Sequence, residues 1–359
     1  MFLDYGFVSG EGLGNSWEIE MRRFRIETLG HVSHWLDTDY KLSIGVERER
    51  FYVNDFWLAW KPDWAAGWIG RIRLGYIDPP FSLQQLTTSQ ARSFMEAPAP
   101  VAAFSPGYRL GLEFSNRLID PFQWSGVDVS WISSLSSVGQ SQQFSDASSS
   151  PFRASLRTVL RPGGISADPE APLTHIAASI GYSFSGAGDV RYRSRAESSL
   201  TPYLVDTDDI RGDAAQLGLE YARREGPLRF ECEWIGSWVS ASAGDRFFSG
   251  SYAEVGWSPT GEVRPYDPRA AIFLPNEPRE PFDWERGTWG GLELAGRVAY
   301  VDLTDQSTHG GRMLTLSTSS IWSLNKFTRI HLDLIYADVK DRPQLGSNFT
   351  AQMRLELQL

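Results

Sequence analysis

Apolar residues recur at every second position along much of this chain, most clearly at its carboxyl end. In AQMRLELQL (351–359), Met353, Leu355 and Leu357 alternate with Arg354 and Glu356. Successive side chains of a β-strand point to opposite faces, so this spacing predicts a strand with one apolar and one polar face. The same alternation recurs in HLDLIYAD (331–338) and FRASLRTVL (152–160).

Repeated along the chain, this pattern predicts an all-β protein with sixteen strands. An even number of antiparallel strands is typical of single-chain bacterial membrane barrels. The predicted strands are 2–9, 17–29, 38–47, 52–60, 68–77, 108–115, 125–133, 152–161, 174–184, 212–223, 227–240, 247–257, 288–302, 312–322, 328–338 and 350–359.

Composition narrows the class of protein. The longest apolar runs fall far short of the roughly 20 residues that a membrane-spanning helix needs, whereas a barrel strand needs only about 9–11. A net charge of −10 argues against nucleic-acid partners. Cys232 is the only cysteine, which leaves no intrachain disulfide. The opening MFLDYGFVSG resembles no secretory signal, so we expect a leader that was removed or a start downstream of one.

Aromatic residues favour the membrane barrel over a soluble β-sandwich, which alternation alone leaves open. Trp57, Trp60, Trp64 and Trp68 cluster near strand ends, as in the aromatic girdles of membrane barrels. The predicted strands also run to about ten residues, longer than the usual 5–6, and no linker divides the chain into domains of sandwich size. A barrel of this size encloses an aqueous lumen.

One long segment interrupts the alternation. PPFSLQQLTTSQARSFMEAPAP (79–100) lies between two predicted strands, is too long for a hairpin turn and shows no clear helical stripe. From the residues alone, a surface loop over one rim of the barrel is the simplest interpretation.

These residues resemble the phosphate-selective porin O and P family. RLGYIDPPFSLQQLTTSQARSFMEAPAPVAAFSPGYRLGLEF (73–114) is similar to that family's strand–loop–strand core. Further similar stretches follow in order: DYGFVSG (4–10), RRFRIE (22–27), SYAEVGWSPTGEVRPY (251–266), WGGLELAGRVAYVDLTD (289–305) and MRLELQL (353–359). Each stretch alone is loose, but their order and spacing cover nearly the whole chain.

The resemblance implies a single domain over 1–359, a sixteen-stranded outer-membrane barrel surrounded by lipid. It implies a homotrimer that passes small hydrophilic solutes or anions, without a cofactor. It also implies that the third loop, about residues 78–107, folds into the lumen and narrows the pore. A second long loop is expected at 185–211.

In phosphate-selective members of the family, arginines and a loop lysine lead anions through the pore. Arginine suits such a path because it stays charged and binds oxyanions with a forked donor set. The positions that match are Arg22, Arg23, Arg191, Arg193 and Arg195. Further positive charge on the wall is expected from Arg71, Arg73, Arg153 and Arg157, although each could instead pair with a lumenal carboxylate.

The constriction loop departs from the family pattern. Gln85 stands where the lysine is expected, and Ala97 stands where an arginine is expected. Arg92 remains nearby and is opposed by Glu96. The candidate constriction residues are Gln85, Gln90, Arg92, Glu96 and Ala97. Acidic residues also occupy predicted lumenal positions: Glu113, Asp128, Glu220, Glu231, Glu233 and Glu293. Charge tunes selectivity most where a pore is narrowest, so we expect at most a weak anion preference and no tight phosphate site.

Two other functions were weighed. An enzyme is disfavoured because the chain has five histidines and no G-x-S-x-G motif, and no metal site is expected. A barrel that acts as a structural anchor or assembly partner, with little conductance, stays open from the sequence.

Overall fold

The computed structural model describes residues 1–33, 37–47, 50–65, 67–123, 126–137, 152–184, 189–242, 244–343 and 345–358. In these ranges sixteen long strands, β1 to β16 in chain order, form one antiparallel sheet. Their bounds are Phe2–Gly10, Gly14–Ser33, Thr38–Glu47, Arg50–Trp60, Arg71–Ile77, Arg109–Ile119, Asp128–Ser137, Phe152–Arg161, Leu173–Phe184, Ile210–Glu225, Leu228–Ala241, Arg246–Trp257, Gly291–Asp305, Thr308–Ser323, Thr328–Lys340 and Ser347–Leu357.

The sheet closes into a barrel. Each strand pairs with its neighbour in sequence, and β1 pairs with β16 in a register that runs from Phe2 opposite Glu356 to Gly10 opposite Asn348. The central pairing of β9 with β10 runs from Ser183 opposite Ala214 to Leu173 opposite Arg224. Closure leaves no long strand with an unpaired edge, which a sheet in lipid requires.

Burial along the strands is the reverse of that in a water-soluble protein. In β16 the polar Gln352, Arg354 and Glu356 are buried, whereas Met353 is 44% exposed. The alternation predicted from the sequence therefore places charge inside the barrel and apolar groups outside. An outer face of this kind suits a hydrocarbon environment.

The predicted strands are confirmed in number and order, and their ends differ by a few residues. The largest extension is β2, which runs from Gly14 to Ser33 rather than 17–29 because it pairs with β1 as far as Gly10 opposite Gly14. Residues 138–151 lie outside the described residues, as do residues 185–188 of the predicted long loop 185–211.

The predicted aromatic girdle is wrong at one position. Trp60, Trp64 and Trp68 are exposed, but Trp57 is only 7% exposed and lies on the interior face of β4. Successive side chains of a strand point to opposite faces, so positions 57 and 60, which are three residues apart, cannot both face lipid.

Strand direction alternates, so the connections fall at two ends of the barrel. We call the end that holds both chain termini the terminal end and the other the opposite end. Segments 78–108 and 185–209 leave from the opposite end, and segment 258–290 leaves from the terminal end. Segment 78–108 contains two short helices, α1 (Leu83–Leu86) and α2 (Ala99–Phe104), in place of a featureless loop. Among the described residues, helices are all too short or too polar to cross a bilayer.

Candidate functional site

The interior wall of the barrel is densely charged. All six acidic residues predicted at lumenal positions are buried on strands: Glu113 on β6, Asp128 on β7, Glu220 on β10, Glu231 and Glu233 on β11, and Glu293 on β13. Buried carboxylates need cations or hydrogen-bond donors. The interior arginines and the segments 78–108, 189–209 and 258–290 supply these groups.

Most arginines predicted for the anion path are held by carboxylates. Arg157 donates from its terminal nitrogen to Glu220 at 2.7 Å, with both side chains fully buried. Arg73 pairs with Glu113, and Arg22 pairs with Glu47 and Glu96. Each of these arginines was expected to contact solutes but instead bonds to a carboxylate of the protein.

Other predicted arginines lie against aromatic rings or hydroxyls. Arg23 donates to the Ser89 hydroxyl at 3.0 Å and lies 3.7 Å from Glu47. Arg153 donates to Ser155 and Ser183 at 2.9 and 3.0 Å. Its guanidinium also stacks over the Phe81 ring of segment 78–108, at 5.3 Å. Arg153 therefore supports the segment rather than facing open water.

Segment 78–108 bonds to interior side chains on strands spread around the barrel. The backbone N–H groups of Leu83 and Gln84 donate to Glu233 on β11 at 3.1 and 2.9 Å. The N–H of Met95 donates to Asp333 on β15 at 2.9 Å. These contacts favour the predicted inward course, because the acceptors belong to the buried face of the wall.

The predicted constriction residues make different contacts from those expected. The Gln85 amide donates to Asp78 at 2.9 Å, and Arg92 donates to the Gln84 carbonyl at 3.0 Å. Glu96 bonds to Arg22 and Arg354, both at 3.1 Å, instead of forming an ion pair with Arg92. Glu96 therefore opposes the charge of Arg92 from a distance, while two wall arginines reach the carboxylate directly.

The remaining two positions face the wall and the apolar packing. The backbone carbonyl of Gln90 accepts from Arg329 at 2.7 Å. Ala97 is half-buried against the largest apolar cluster, which includes Val101 and Phe104 of α2. Neither side chain supplies charge to the segment.

Two acids in this segment have opposite protonation behaviour. Burial raises the pKa of Asp78 to about 7, since one amide and a distant arginine compensate it only partly. Burial alone would also raise the pKa of Glu96, but the guanidinium groups of Arg22 and Arg354 hold it well below its usual range. Asp78 is thus the acid whose charge changes near neutral pH.

Segment 189–209 carries the predicted arginine run. Burial alternates along the run, since Tyr192 and Ser194 are buried and Arg193 is exposed. Arg191 donates to Asp206 at 2.7 and 2.8 Å. The hydrogen bond with Asp206 raises the pKa of Arg191.

The other two arginines of the run stack on one ring. Arg193 and Arg195 lie 4.1 and 4.4 Å from the centre of the Tyr203 ring. Arg195 also donates to the carbonyls of Ser199 and Thr201. Among the described residues Arg193 makes no ion pair, so its charge is open to the lumenal water.

A third segment that bonds to the interior wall, 258–290, was not anticipated from the sequence. The Tyr266 hydroxyl lies 2.8 Å from His175 Nδ1 on β9. Arg157 on β8 donates to the Ala271 carbonyl at 3.1 Å. Its Phe273 packs with Leu83 of α1, so segments from both ends of the barrel meet. A signal was present, since FLPNEP (273–278) and its neighbours mix apolar residues into a link that would otherwise be polar.

One buried chain of ion pairs joins all three segments to the wall. Arg264 of segment 258–290 pairs with Glu293, and Glu293 accepts from Ser93 of segment 78–108. Arg297 on β13 lies 2.9 Å from Glu254 on β12 and 3.2 Å from Glu197 of segment 189–209. Arg229 closes the chain, at 3.0 Å from Glu254 and 3.8 Å from Glu293.

No group of three or more His, Cys, Asp or Glu residues could hold a metal ion in the part of the chain that the structure describes.

Comparison with known proteins identifies this architecture. The family model for phosphate-selective porin O and P matches residues 2–359. The chain belongs to the phosphate-selective porin O and P family. Membership places the chain in the bacterial outer membrane.

A curated relative of this porin is an uncharacterized protein of Caulobacter vibrioides. The two are 26% identical over 335 residues, which is 90% of this chain and 63% of that protein. The chain thus spans less than two thirds of the length of its relative.

Solved porin structures share the fold of the chain. An anion-selective porin from Comamonas acidovorans has a TM-score of 0.56 at 10% identity, with 99% of this chain and 98% of that chain covered. OmpT of Vibrio cholerae, folded in vitro and in trimer form, has a TM-score of 0.56 at 10% identity, with 99% of this chain and 98% of that chain covered. OprB of Pseudomonas putida, at high pH, has a TM-score of 0.56 at 10% identity and covers 99% and 93%.

Proposed function

We propose that this porin is a channel for passive diffusion of small hydrophilic solutes, with a weak preference for anions and no tight phosphate site. The observation that carries the proposal is the pairing of the interior arginines. Arg22, Arg73, Arg157 and Arg191 each form an ion pair with a carboxylate. A paired guanidinium has little charge left to attract a passing ion.

The anion preference rests on the cations that remain. Among the described residues, Arg71 and Arg193 form no ion pair and are at least partly exposed. Each lies over an aromatic ring, Arg71 on Trp57 at 4.7 Å and Arg193 on Tyr203 at 4.1 Å. Two such charges give a weak positive field rather than a continuous ladder.

Segment 78–108 is proposed as the constriction. Its bonds to interior carboxylates on β11 and β15 support this role. With glutamine at 85 and alanine at 97, the segment lacks the two cations expected in phosphate-selective relatives. A dianion would therefore meet Arg92, whose guanidinium is already occupied by backbone carbonyls.

A homotrimer surrounded by outer-membrane lipid is proposed for the assembly. The apolar outer face of the strands supports contact with lipid. The shared fold with OmpT in its trimer form supports the oligomeric state.

Single-channel recording in planar bilayers tests the proposal. We expect discrete conductance steps in potassium chloride and no block of the chloride current by micromolar phosphate. Phosphate block at micromolar concentration would contradict the absence of a tight site. A folded, heat-modifiable barrel without conductance would contradict the channel and favour the structural anchor.

A further inference from the structure

An aromatic floor with two guanidinium groups lies on the interior face of β4 and β5. Trp57 pairs with Gly75, and Ala59 pairs with Arg73. A Cβ at position 75 would lie 2.6 Å from the Trp57 Cα, and its φ of +141° also requires glycine. Small residues at 59 and 75 thus leave room for the indole ring beneath the two arginines.

Both guanidinium groups lie over this ring. Their central carbons are 4.7 Å (Arg71) and 5.5 Å (Arg73) from the ring centre of Trp57. Stacking on an aromatic face orients a guanidinium and leaves its edge N–H groups free to donate.

Three N–H donors here have no acceptor. Trp57 Nε1, Arg71 Nε and Arg73 Nε are all buried and make no hydrogen bond to any residue that the structure describes, and Trp57 is only 7% exposed. Buried donors without partners are rare in proteins and call for an explanation. Since all three groups donate and none accepts, the missing partner is an acceptor such as an oxyanion.

The charge balance of the site selects the class of anion. Arg73 is neutralised by Glu113, so Arg71 supplies one uncompensated positive charge. Three carboxylates act on Arg71 from a distance. Glu113 and Asp39 have cationic partners of their own, whereas Asp267 accepts backbone N–H groups and offsets part of the Arg71 charge, so the site carries at most one net positive charge. One net positive charge matches a monoanion better than a dianion.

We propose that Trp57, Arg71 and Arg73 form a binding subsite for the carboxylate of small monocarboxylic acids that carry an apolar or aromatic group. The Arg71 guanidinium, with the N–H groups of Trp57 and Arg73, holds the carboxylate, and the indole contacts the apolar part. Arg71 is the first residue of β5, at the terminal end. The subsite therefore lies before segment 78–108 for a solute that arrives from that end. It deepens the proposed anion preference and rests on it.

The test adds 4-fluorobenzoate to the detergent-solubilised full chain and measures the width of its ¹⁹F NMR line. Micelles without protein provide the reference line width. We expect broadening with the wild type and at least a fivefold weaker apparent affinity for Arg71→Gln, because one charge-assisted contact is lost. Arg286→Gln removes the same charge from an exposed rim pair with Asp283 and should leave the affinity unchanged.

A second pair of variants separates the ring from the charge. Trp57→Leu should weaken 4-fluorobenzoate more than fluoroacetate, whereas Trp57→Phe retains a ring and should recover most of the difference. Heat-modifiable migration on gels confirms that each variant is folded.

Several results would overturn the subsite: no broadening with wild type, equal affinity of wild type and Arg71→Gln, or displacement by phosphate as readily as by benzoate. Conductance provides a separate readout. Broadening without channel activity would refute the proposed function and leave the subsite standing. Channel activity without broadening would refute the subsite alone.

Discussion

The barrel interior has two unlike sides. The paired side, built from β11–β13 with Arg229, Glu254 and Arg297, is buried and bonds to segments 78–108, 189–209 and 258–290. The open side, built from β4 and β5 with Trp57 and Arg71, carries a cation without a carboxylate partner among the described residues. Both sides show the same alternating pattern in sequence, so alternation predicts which residues face inward but not which charges a solute meets.

The paired side illustrates the cost of burying charge. Arg297 and Glu254 have fully buried side chains, and such pairs repay their desolvation only through close and complete bonding. Here the bonding spans the wall and the inserted segments. We infer that these arginines hold structure and contribute little to ion attraction.

The largest expected effect comes from breaking the paired side. Arg297→Met removes the arginine paired with Glu197 and one of the two arginines paired with Glu254. Leaving a buried charge uncompensated should lower the free energy of unfolding by about 3–5 kcal/mol. Urea unfolding of the chain in lipid vesicles, followed by tryptophan fluorescence, measures this loss.

The matched control is Arg286→Met, in a pair whose arginine side chain is 82% exposed. An exposed pair contributes about 0–1 kcal/mol. Equal losses for the two variants would contradict the distinction between structural and exposed pairs.

A second change removes a carboxylate of segment 78–108 that is paired with arginines on β2 and β16. Glu96→Gln removes one negative charge, while Arg354 keeps Asp4 at 2.7 Å and Arg22 keeps Glu47. A unit charge about 8 Å from a passing ion in water contributes about 0.5 kcal/mol. The chloride-to-potassium permeability ratio, measured from reversal potentials, should therefore rise about twofold; an unchanged ratio would place Glu96 outside the pore field.

A third prediction uses pH to change charge in segment 78–108. Burial raises the pKa of Asp78 from 3.8 to about 7. Anion preference should rise by less than about twofold as pH falls from 8 to 6, since one negative charge disappears. Asp78→Asn should reduce this step, and Asp283→Asn on the rim should leave it unchanged.

The sign of the stability effect follows from the same shift. Between pH 3.8 and about 7 the folded chain holds a proton that the unfolded chain has lost. Lowering the pH from 7 toward 4 should therefore add to stability in the wild type relative to Asp78→Asn. The opposite slope would contradict the buried state of this carboxyl.

The smallest effect is expected from restoring the missing lysine. Gln85 donates to Asp78 at 2.9 Å, so the ammonium group of Gln85→Lys would pair with that carboxylate. The permeability ratio should change by less than about 1.5-fold for this variant. Combining it with Asp78→Asn should give a clearly larger rise, and a large effect of the single variant would contradict the pairing.

Sequence reasoning anticipated the barrel because strand spacing and facing depend on local chemistry. It anticipated which side chains of β8 and β16 face inward, including Arg157 and Arg354. It misplaced Trp57, because composition near a strand end was weighed above its position in the alternation.

The contacts of the site could not be predicted in the same way. Glu96 meets Arg354 across 258 residues, and Arg264 bonds to the Ala91 carbonyl across 173 residues. Such pairs depend on how two segments enter the barrel, which no local spacing encodes. The resemblance to a porin family supplied the expected loop but not its partners.

The most direct test of the central claim is the reversal potential of the wild-type channel in a potassium chloride gradient at pH 8. Pairing of most interior arginines predicts a small displacement toward the chloride equilibrium potential. A reversal potential close to the full chloride value would contradict the claim, because it would require a continuous path of free arginines; a displacement toward potassium would contradict the anion preference itself.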